Sequence, residues 1–531
     1  VGGAGGAGAG TQGGTEGQIR RTNPDGSAYV YYPHPPRPPR DPHDAADYAG
    51  GDWLVQNLGT EPQVLTPLIV KDASASDVQS PVLDSLLTQN PETFLWEPLL
   101  AESYEIKPGG LQILFKLRSG LTFSDGVPLT VDDVLFSYQT MMTPDIDCAP
   151  LRGFYQHVKT LKKVDDRTVE FDFDEPYFQS LEVAGTLQVI PKHIYQFDSP
   201  AQYNQRNGTL VGSGPYMLQK WDSGSQIVLV RNDHYWGERP TFDKVVMKFI
   251  KNPQAAFQDF QDSQLDFVSP DPDQWVKFIA DRDFMSKVKA YKYQRPDSGY
   301  SYIGYNEAKP EFKDKQTRRA LTMLLDRPAI IHTFLKDMAV PITGPFNPLS
   351  PQDDKTIEPW PYDVEKAKAL LAAAGWKLGK SGVLERDGVR FEFSLMLGNG
   401  NPLLDRIANY VKGQFELAGI RTTITPYEFS ILVKKLDDRD YDATLISWTG
   451  SLEEDPYQIW HSDSIADKGS NYIDFRNAAS DKLIAEGRRT LDRDKRMAIW
   501  HQWQALIHEE QPYTFLFASV SRVFIQKRFE N

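Results

Sequence analysis

Four carboxylates in two segments are the first candidates for acid–base chemistry. Asp125 lies in a Phe-Ser-Asp-Gly turn, and Glu453, Glu454 and Asp455 follow one another in one loop. A glycosidase needs two carboxyl groups on opposite sides of a scissile bond. Their spacing in the sequence does not tell which of the four would pair, and a turn for Asp125 and a solvated loop for the others are the simpler explanations. The carboxylates therefore give only weak support for catalysis.

Motifs for nucleophiles, phosphates and metals are missing or incomplete. The one cysteine, Cys148, allows no intramolecular disulfide and is interpreted as an inert thiol. The histidines are dispersed and form no H-E-x-x-H pair. Residues 286–289 match S-x-x-K without its companion motifs, and the glycine loop at 375–381 has too short a spacing for phosphate binding. We expect no catalytic residue, metal or cofactor.

The composition is that of a large acidic globular protein. The chain has 531 residues, 58 Lys and Arg against 72 Asp and Glu, and a net charge of −14. This charge argues against nucleic-acid binding, which needs a positive surface. No run of 18 apolar residues occurs, so the sequence predicts no membrane-spanning helix.

The first 45 residues differ from the rest. Residues 1–17 contain nine glycines and residues 33–42 contain six prolines, a composition typical of a flexible and then stiffer spacer. We predict a tether over residues 1–45, and a disordered tail without a role is the alternative. Because the chain starts with Val1, we also expect that a leader was removed or left out.

Local patterns beyond residue 52 predict the elements that must hold any site. Residues 110–118 alternate apolar and polar side chains, as a half-buried strand does. Thr130 and Asp133 have the spacing of a capping box at a helix start. A helix from Asp363 should end at Gly375, and residues 443–448 should form a strand. The strand–helix–strand order predicts an α/β sheet covered by helices.

Several segments carry, in one order, a resemblance to a known family. They are Leu99–Val134 with its Gly-Leu-Thr-Phe-Ser-Asp-Gly stretch, the Gly-Ser-Gly-Pro-Tyr sequence at 212–216, the Arg-Asn-Asp-His-Tyr-Trp sequence at 231–236, residues 305–327, Ala367–Trp376 and residues 441–456. The set resembles the extracellular solute-binding proteins of bacterial peptide/nickel-type ABC transporters, often called family 5.

The resemblance implies a fold and a way of working. It implies an α/β, two-lobed periplasmic-binding-protein fold with mixed sheets and two crossing segments. The first lobe would be 46–297, with an extra subdomain inserted near 80–205, the second lobe 298–511, and residues 512–531 would return to the first lobe. Hinge closure would capture a solute for the permease subunits of an importer. A monomer in the periplasm or on the outer face of the cell membrane is expected, with the removed N-terminus as a candidate lipid anchor.

The ligand segment departs from the family pattern. In peptide-binding relatives an aspartate three residues after the tryptophan pairs with the peptide's amino terminus. Here Ser451 follows Trp448 at that spacing, and Glu453, Glu454 and Asp455 are possible substitutes. The loop at 398–402 lacks the arginine that some dipeptide binders use, with Arg406 several residues on.

The resemblance gives a set of candidate ligand-binding residues: Glu61, Gly212, Ser213, Gly214, Tyr305, Asn306, Asn401, Trp448, Gly450, Ser451, Asp455 and Trp460. Gly212 and Gly214 should also let the backbone approach another surface closely. Two other functions stay open. An oligosaccharide receptor would stack sugars on Trp448, Trp460 or Tyr305, and an envelope hydrolase is a remote alternative.

Overall fold

The computed structural model describes residues 19–22, 28–31, 53–69, 72–90, 95–295 and 297–529. These residues form two compact units, which divide between Val268 and Ser269. Most of the predicted tether lies outside the described residues. The predicted lobe boundaries at 297/298 and 511/512 stay predictions.

The first unit contains short strands interleaved with helices. Its strands are β1 (Ile19–Thr22), β2 (Ala28–Tyr31), β3 (Trp53–Asn57), β4 (Leu87–Gln89), β5 (Trp96–Pro98), β6 (Ala101–Ile106), β7 (Gln112–Leu117), β8 (Val158–Lys163), β9 (Thr168–Phe173), β10 (Tyr216–Asp222), β11 (Gln226–Arg231), β12 (Lys244–Lys248) and β13 (Phe267–Val268). Its helices are α1 (Ala73–Gln79), α2 (Val131–Met142), α3 (Ala149–Phe154), α4 (Ser180–Gly185), α5 (Lys192–Tyr195), α6 (Pro200–Asn204) and α7 (Pro253–Gln261).

Two sheets organise this unit. One has the order β1-β2-β6-β7-β9-β8, and the other has the order β10-β11-β12-β3. The predicted alternation at 110–118 is confirmed as β7, whose Phe115 packs edge-on against Phe171 of β9 at 5.7 Å between ring centroids. The predicted helix start is also confirmed, because α2 begins at Val131 and the Thr130 N–H donates to Asp133 Oδ2 at 2.9 Å.

Two short strands lie within the predicted tether. Within residues 1–45, β1 and β2 pair as an antiparallel hairpin, and β2 continues the pairing onto β6. The alternating Ala-Tyr-Val-Tyr sequence of β2 suits a strand, and the glycine and proline counts of its neighbours obscured that local pattern. The tether over residues 1–45 stays a prediction, and this hairpin lies between its glycine-rich and proline-rich stretches.

The second unit is richer in helix. Its strands are β14 (Val288–Tyr293), β15 (Tyr300–Tyr305), β16 (Ala339–Pro341), β17 (Lys377–Leu378), β18 (Leu384–Arg386), β19 (Val389–Arg390), β20 (Glu392–Gly398), β21 (Arg421–Tyr427), β22 (Ala443–Trp448), β23 (Tyr513–Ser519) and β24 (Ser521–Gln526). Its helices are α8 (Pro272–Ile279), α9 (Arg282–Lys287), α10 (Lys315–Met323), α11 (Arg327–Leu335), α12 (Val364–Ala373), α13 (Pro402–Leu417), α14 (Phe429–Asp437), α15 (Tyr457–Trp460), α16 (Ala478–Arg489) and α17 (Arg493–Glu510), and a 3-10 helix covers Ser462–Lys468.

A mixed six-stranded sheet forms the centre of this unit, in the order β16-β23-β15-β22-β20-β21. Strands β20, β21 and β22 run parallel, whereas β15 is antiparallel to both of its neighbours. Helices α10, α11, α12 and α13 contribute apolar residues to the core of this unit. The predicted helix from Asp363 and its stop at Gly375, which has φ +91°, are confirmed.

Within the described ranges, no helix combines the length and the apolar character that crossing a bilayer requires.

Candidate functional site

The Gly-Ser-Gly motif of the first unit lies against a neighbouring backbone. The Gly214 N–H donates to the Val82 carbonyl at 2.9 Å. A Cβ atom on Gly212 would lie 2.1 Å from the same carbonyl oxygen, and one on Gly214 would lie 2.7 Å from that of Pro81. Only glycine fits such an approach. The close backbone contact predicted from the sequence is confirmed, and a ligand contact of these glycines stays a prediction.

A buried carboxylate lies beside this motif. Asp84 accepts hydrogen bonds from Trp236 Nε1 at 3.2 Å and from the buried Ser213 hydroxyl at 3.4 Å. Burial raises the pKa of Asp84 to about 6, and these two hydrogen bonds only partly oppose that effect. Ser213 therefore serves as a partner of a core acid in this structure.

Glu61 is held by the hairpin between β10 and β11. Its carboxylate accepts hydrogen bonds from Trp221 Nε1 at 2.9 Å and from the Gly224 N–H at 3.0 Å. Burial acts to raise the pKa of Glu61, but hydrogen bonds from Ser223, Trp221 and Gly224 outweigh it and lower that pKa. The geometry supports a structural role, and a ligand contact of Glu61 stays a prediction.

In the second unit, three parallel strands end at one edge of the central sheet. Gly398 of β20 lies opposite Tyr427 of β21, and β22 ends nearby at Trp448. Ligands of open α/β sheets bind at the carboxyl ends of such strands. The loops that follow these strands, which carry Asn401, Gly450 and Ser451, are therefore brought to one edge by the fold.

Trp448 belongs to an aromatic stack at this edge. Its ring is nearly parallel to that of Tyr472 at 5.6 Å and to that of Tyr302 at 6.3 Å. Its Nε1 donates to the Tyr513 hydroxyl at 3.3 Å. The side chain is partly exposed. Packing and hydrogen bonding thus fix the ring while part of its surface stays open to solvent.

The three acids of the 453–455 loop have different partners. Glu453 forms a two-point ion pair with Arg496, at 2.5 Å to Nε and 3.1 Å to Nη2. Asp455 accepts from Arg488 Nε at 2.8 Å. Glu454 accepts from the Ser451 N–H, and within the described part of the chain no cation pairs with it. The fold therefore neutralises two of the three acids, whereas Glu454 has no counter-ion among the residues that the structure describes.

The environment of Glu454 makes its charge costly. Burial raises the pKa of Glu454 to about 7, although the Ser451 hydrogen bonds act to lower it. The Tyr300 hydroxyl has no hydrogen-bond partner among the described residues. Burial holds its pKa well above the ordinary value, and the charges of Tyr513 and Glu454 add to that effect. A cation bound here would stabilise the ionised carboxylate of Glu454.

The remaining candidates are bonded inside the unit. The buried Tyr305 hydroxyl bonds to Thr514 Oγ1 at 2.8 Å, and Asn306 Nδ2 donates to the Tyr441 carbonyl at 2.9 Å. Trp460 is 1% exposed, and Asn401 Oδ1 caps α13. The geometry supports structural roles for these four, and it offers Tyr305 and Trp460 no open face for stacking a sugar. Their ligand contacts stay predictions.

Two apolar side chains at this edge were missed by sequence reasoning. Phe429 is 62% exposed and Ile431 is 49% exposed, and both lie in the first turn of α14, directly after β21. Large apolar side chains exposed beside a strand end are typical of ligand surfaces. No sequence signal separated these two side chains from the apolar residues that a helix packs into a core.

The other chemical candidates form no reactive arrangement. Asp125 Oδ2 pairs with His193 Nε2 at 2.7 Å, and Asp125 Oδ1 accepts from the Val127 N–H at 3.1 Å within its turn. Cys148 is buried, with its thiol donating to the Met141 carbonyl at 3.3 Å. Throughout the described ranges, no cluster of three or more His, Cys, Asp or Glu is arranged to hold a metal ion.

Comparison with known proteins identifies the family. The sequence pattern of the bacterial extracellular solute-binding proteins, family 5 Middle, matches residues 96–470. The chain belongs to this family. The protein is thus a solute-binding component of an ABC transporter and not an enzyme, as the sequence predicted, and the family works outside the cytoplasm.

Relatives of this family 5 protein cover nearly the whole chain. The oligopeptide-binding protein AppA of Bacillus subtilis is 32% identical over 483 residues, which are 88% of this chain and 86% of AppA. The solved structure of B. subtilis AppA in complex with a nonapeptide has a TM-score of 0.78 at 30% identity, covering 91% of this chain and 96% of that one.

A third comparison bears on the fold alone. The structure of NikZ from Campylobacter jejuni in complex with Ni(L-His) has a TM-score of 0.79 at 22% identity, covering 91% of this chain and 95% of that one. The predicted mixed α/β fold of periplasmic binding proteins is confirmed by these likenesses. Because one fold holds a peptide in AppA and a metal complex in NikZ, the ligand must be argued from the site.

Proposed function

We propose that this family 5 protein captures peptides and delivers them to the permease of an ABC importer. The observation that carries the proposal is the similarity to AppA along 88% of the chain. The arrangement at the carboxyl edge of the central sheet supports it, since a peptide brings an ammonium group, a polar backbone and apolar side chains. The carboxylate of Glu454 can pair with the ammonium group. The exposed Phe429 and Ile431 can contact apolar side chains of the peptide.

Closure of two lobes is the proposed way of working. The lobes would be 46–297 and 298–511, with crossing segments near 298 and 512 and a subdomain inserted in the first lobe. A peptide would favour the closed state by its extra contacts there, and the permease would recognise that state. The proposed location is the periplasm or the outer face of the cell membrane. A monomeric state and a lipid anchor stay predictions.

Glu454 is the proposed partner of the peptide's amino terminus. Ser451 has no charge for an ammonium, but its N–H holds the carboxylate of Glu454, three residues further along. Glu453 and Asp455 are already paired with Arg496 and Arg488. A shielded ammonium needs a charged partner, and Glu454 is the acid of this loop that can serve as one.

The test compares a free and an acetylated amino terminus. A nonapeptide pool is titrated against the protein by calorimetry, with the same pool N-acetylated as the second ligand. We expect acetylation to weaken binding about tenfold or more, the usual value of a charged hydrogen bond. In Glu454→Gln, free and acetylated pools should bind alike.

Glu453→Gln is the matched control, because that carboxylate is already bound by Arg496. The Glu453→Gln variant should be less stable than the wild type and should still bind the free pool more tightly than the acetylated pool. If Glu454→Gln keeps the full preference for free amino termini, the assigned role of Glu454 is wrong. If the wild-type protein binds neither pool, the peptide function itself is contradicted.

A further inference from the structure

A short segment between β16 and α12 bonds to two separate parts of the second unit. Asn347 is 7% exposed, and its Nδ2 donates to the carbonyl oxygens of Arg295 at 3.1 Å and Ser298 at 2.8 Å. Gln352 is 1% exposed and forms a reciprocal pair with the backbone of Glu454. Its Nε2 donates to the Glu454 carbonyl at 2.8 Å, and its Oε1 accepts the Glu454 N–H at 2.7 Å.

The same two parts also touch directly through glycines. A Cβ atom on Gly299 would lie 1.8 Å from the Trp448 carbonyl oxygen. One on Gly450 would lie 2.7 Å from the carbonyl oxygen of Ser298. The backbones at 298–299 and 448–450 are therefore in contact with no side chain between them, so a shift of one must move the other.

These contacts lie between the predicted crossing segment and the proposed ligand loop. The chain passes from the predicted first lobe to the second at residues 297–298, which makes 295–299 the predicted crossing segment. The proposed ligand loop is 448–455. We propose that residues 347–352, the tie segment, couple ligand binding at this loop to the crossing segment. This inference rests on the proposed function and deepens it.

The bonds of the tie segment explain how coupling would occur. Breaking a hydrogen bond from a buried side chain to a backbone carbonyl group is unfavourable. The crossing segment therefore moves with Asn347, and the ligand loop moves with Gln352. A ligand that fixes the loop at Glu454 thereby favours one arrangement of residues 295–299. Asn347 and Gln352 are positioning residues and need no contact with ligand.

Hydrogen–deuterium exchange of the full chain tests the coupling, with the nonapeptide pool as probe. In wild-type protein, the pool should protect both 448–455 and 295–299. Asn347→Asp removes both donated hydrogen bonds, so protection should remain at 448–455 and disappear at 295–299. Affinity for the pool should fall about tenfold, mainly through faster dissociation.

Asn471→Asp is the matched control. Asn471 is also buried, and its Nδ2 donates to the carbonyls of His461 at 3.2 Å and Phe475 at 2.8 Å, which belong to neither 295–299 nor 448–455. The Asn471→Asp variant should be less stable than the wild type, and the peptide pool should still protect both 448–455 and 295–299. Asn347→Ser, smaller and uncharged, replaces Asn347→Asp if that variant does not fold.

Three outcomes separate the possibilities. Loss of protection at 295–299 in the Asn347 variant alone supports the tie segment. Protection at both places in the Asn347 variant, or at 448–455 only in the wild type, overturns the coupling while peptide binding stands. If the pool protects neither place in the wild type, the proposed peptide function fails as well.

Discussion

At the residue scale, buried acids set a pH dependence of stability that can be assigned to single side chains. Asp84 has a pKa of about 6 in the folded protein against 3.8 when unfolded. The folded state therefore binds more protons between these values, and the free energy of unfolding falls as pH rises through this window. The difference between these two pKa values corresponds to about 3 kcal/mol in the free energy of unfolding.

Asp84→Asn should remove this fall. Asparagine keeps an acceptor for Trp236 and cannot ionise. Relative to wild type, the variant should gain about 3 kcal/mol of unfolding free energy between pH 4 and pH 7, measured by urea denaturation. Asp125→Asn should have the opposite effect on the free energy of unfolding. His193 and local hydrogen bonds lower the pKa of Asp125 against the effect of burial, so that variant is expected to lose stability at neutral pH. Parallel pH profiles for Asp84→Asn and wild type would contradict the assignment.

At the element scale, glycines decide where backbones can meet. Gly212 lies so close to the Val82 carbonyl that a methyl group at 2.1 Å cannot be accommodated without moving main chain. Gly212→Ala should therefore lower the free energy of unfolding by about 1 to 3 kcal/mol or more, as overpacking does.

Gly413→Ala is the control for that substitution. Gly413 is in α13, and a Cβ atom there would meet nothing within 4 Å. Alanine should therefore raise stability by about 0.5 to 1 kcal/mol through helix propensity. Denaturation midpoints with urea measure both variants. Equal effects at the two positions would show that the close approach at Gly212 is not a constraint.

At the scale of the whole molecule, a binding protein is stabilised by its ligand and leaves it intact. A nonapeptide pool at 100 times the dissociation constant should add about 2.7 kcal/mol to stability and raise the Tm. Mass spectrometry should recover the peptides uncleaved, and native mass spectra of freshly purified protein should show retained cargo. A Tm raised by oligosaccharides but not by peptides would favour the sugar receptor, and cleavage products would favour the hydrolase.

Most of the scaffold could be predicted because its signals are local. The capping pair at Thr130 and Asp133, the stop at Gly375 and the alternation of β7 each depend on a few neighbouring residues. Hydrogen bonds and φ preferences within such short stretches are read directly from side-chain types. The family resemblance combined several such stretches in one order, and so gave the fold class and the solute-binding function.

For the candidate site, the sequence indicated which loops take part, but not which side chain in them would bind the ligand. Glu453, Glu454 and Asp455 are indistinguishable in sequence, and their difference comes from Arg496 and Arg488, which are 43 and 33 residues from their partners. Likewise, the close contact of Gly450 with Ser298 joins residues far apart in the chain. The sequence by itself, through the family resemblance, indicated the loops after β20 and β22 as candidates for ligand binding. Only the tertiary structure decided which acid in them has no counter-ion among the described residues, because ion pairing depends on distances that folding creates.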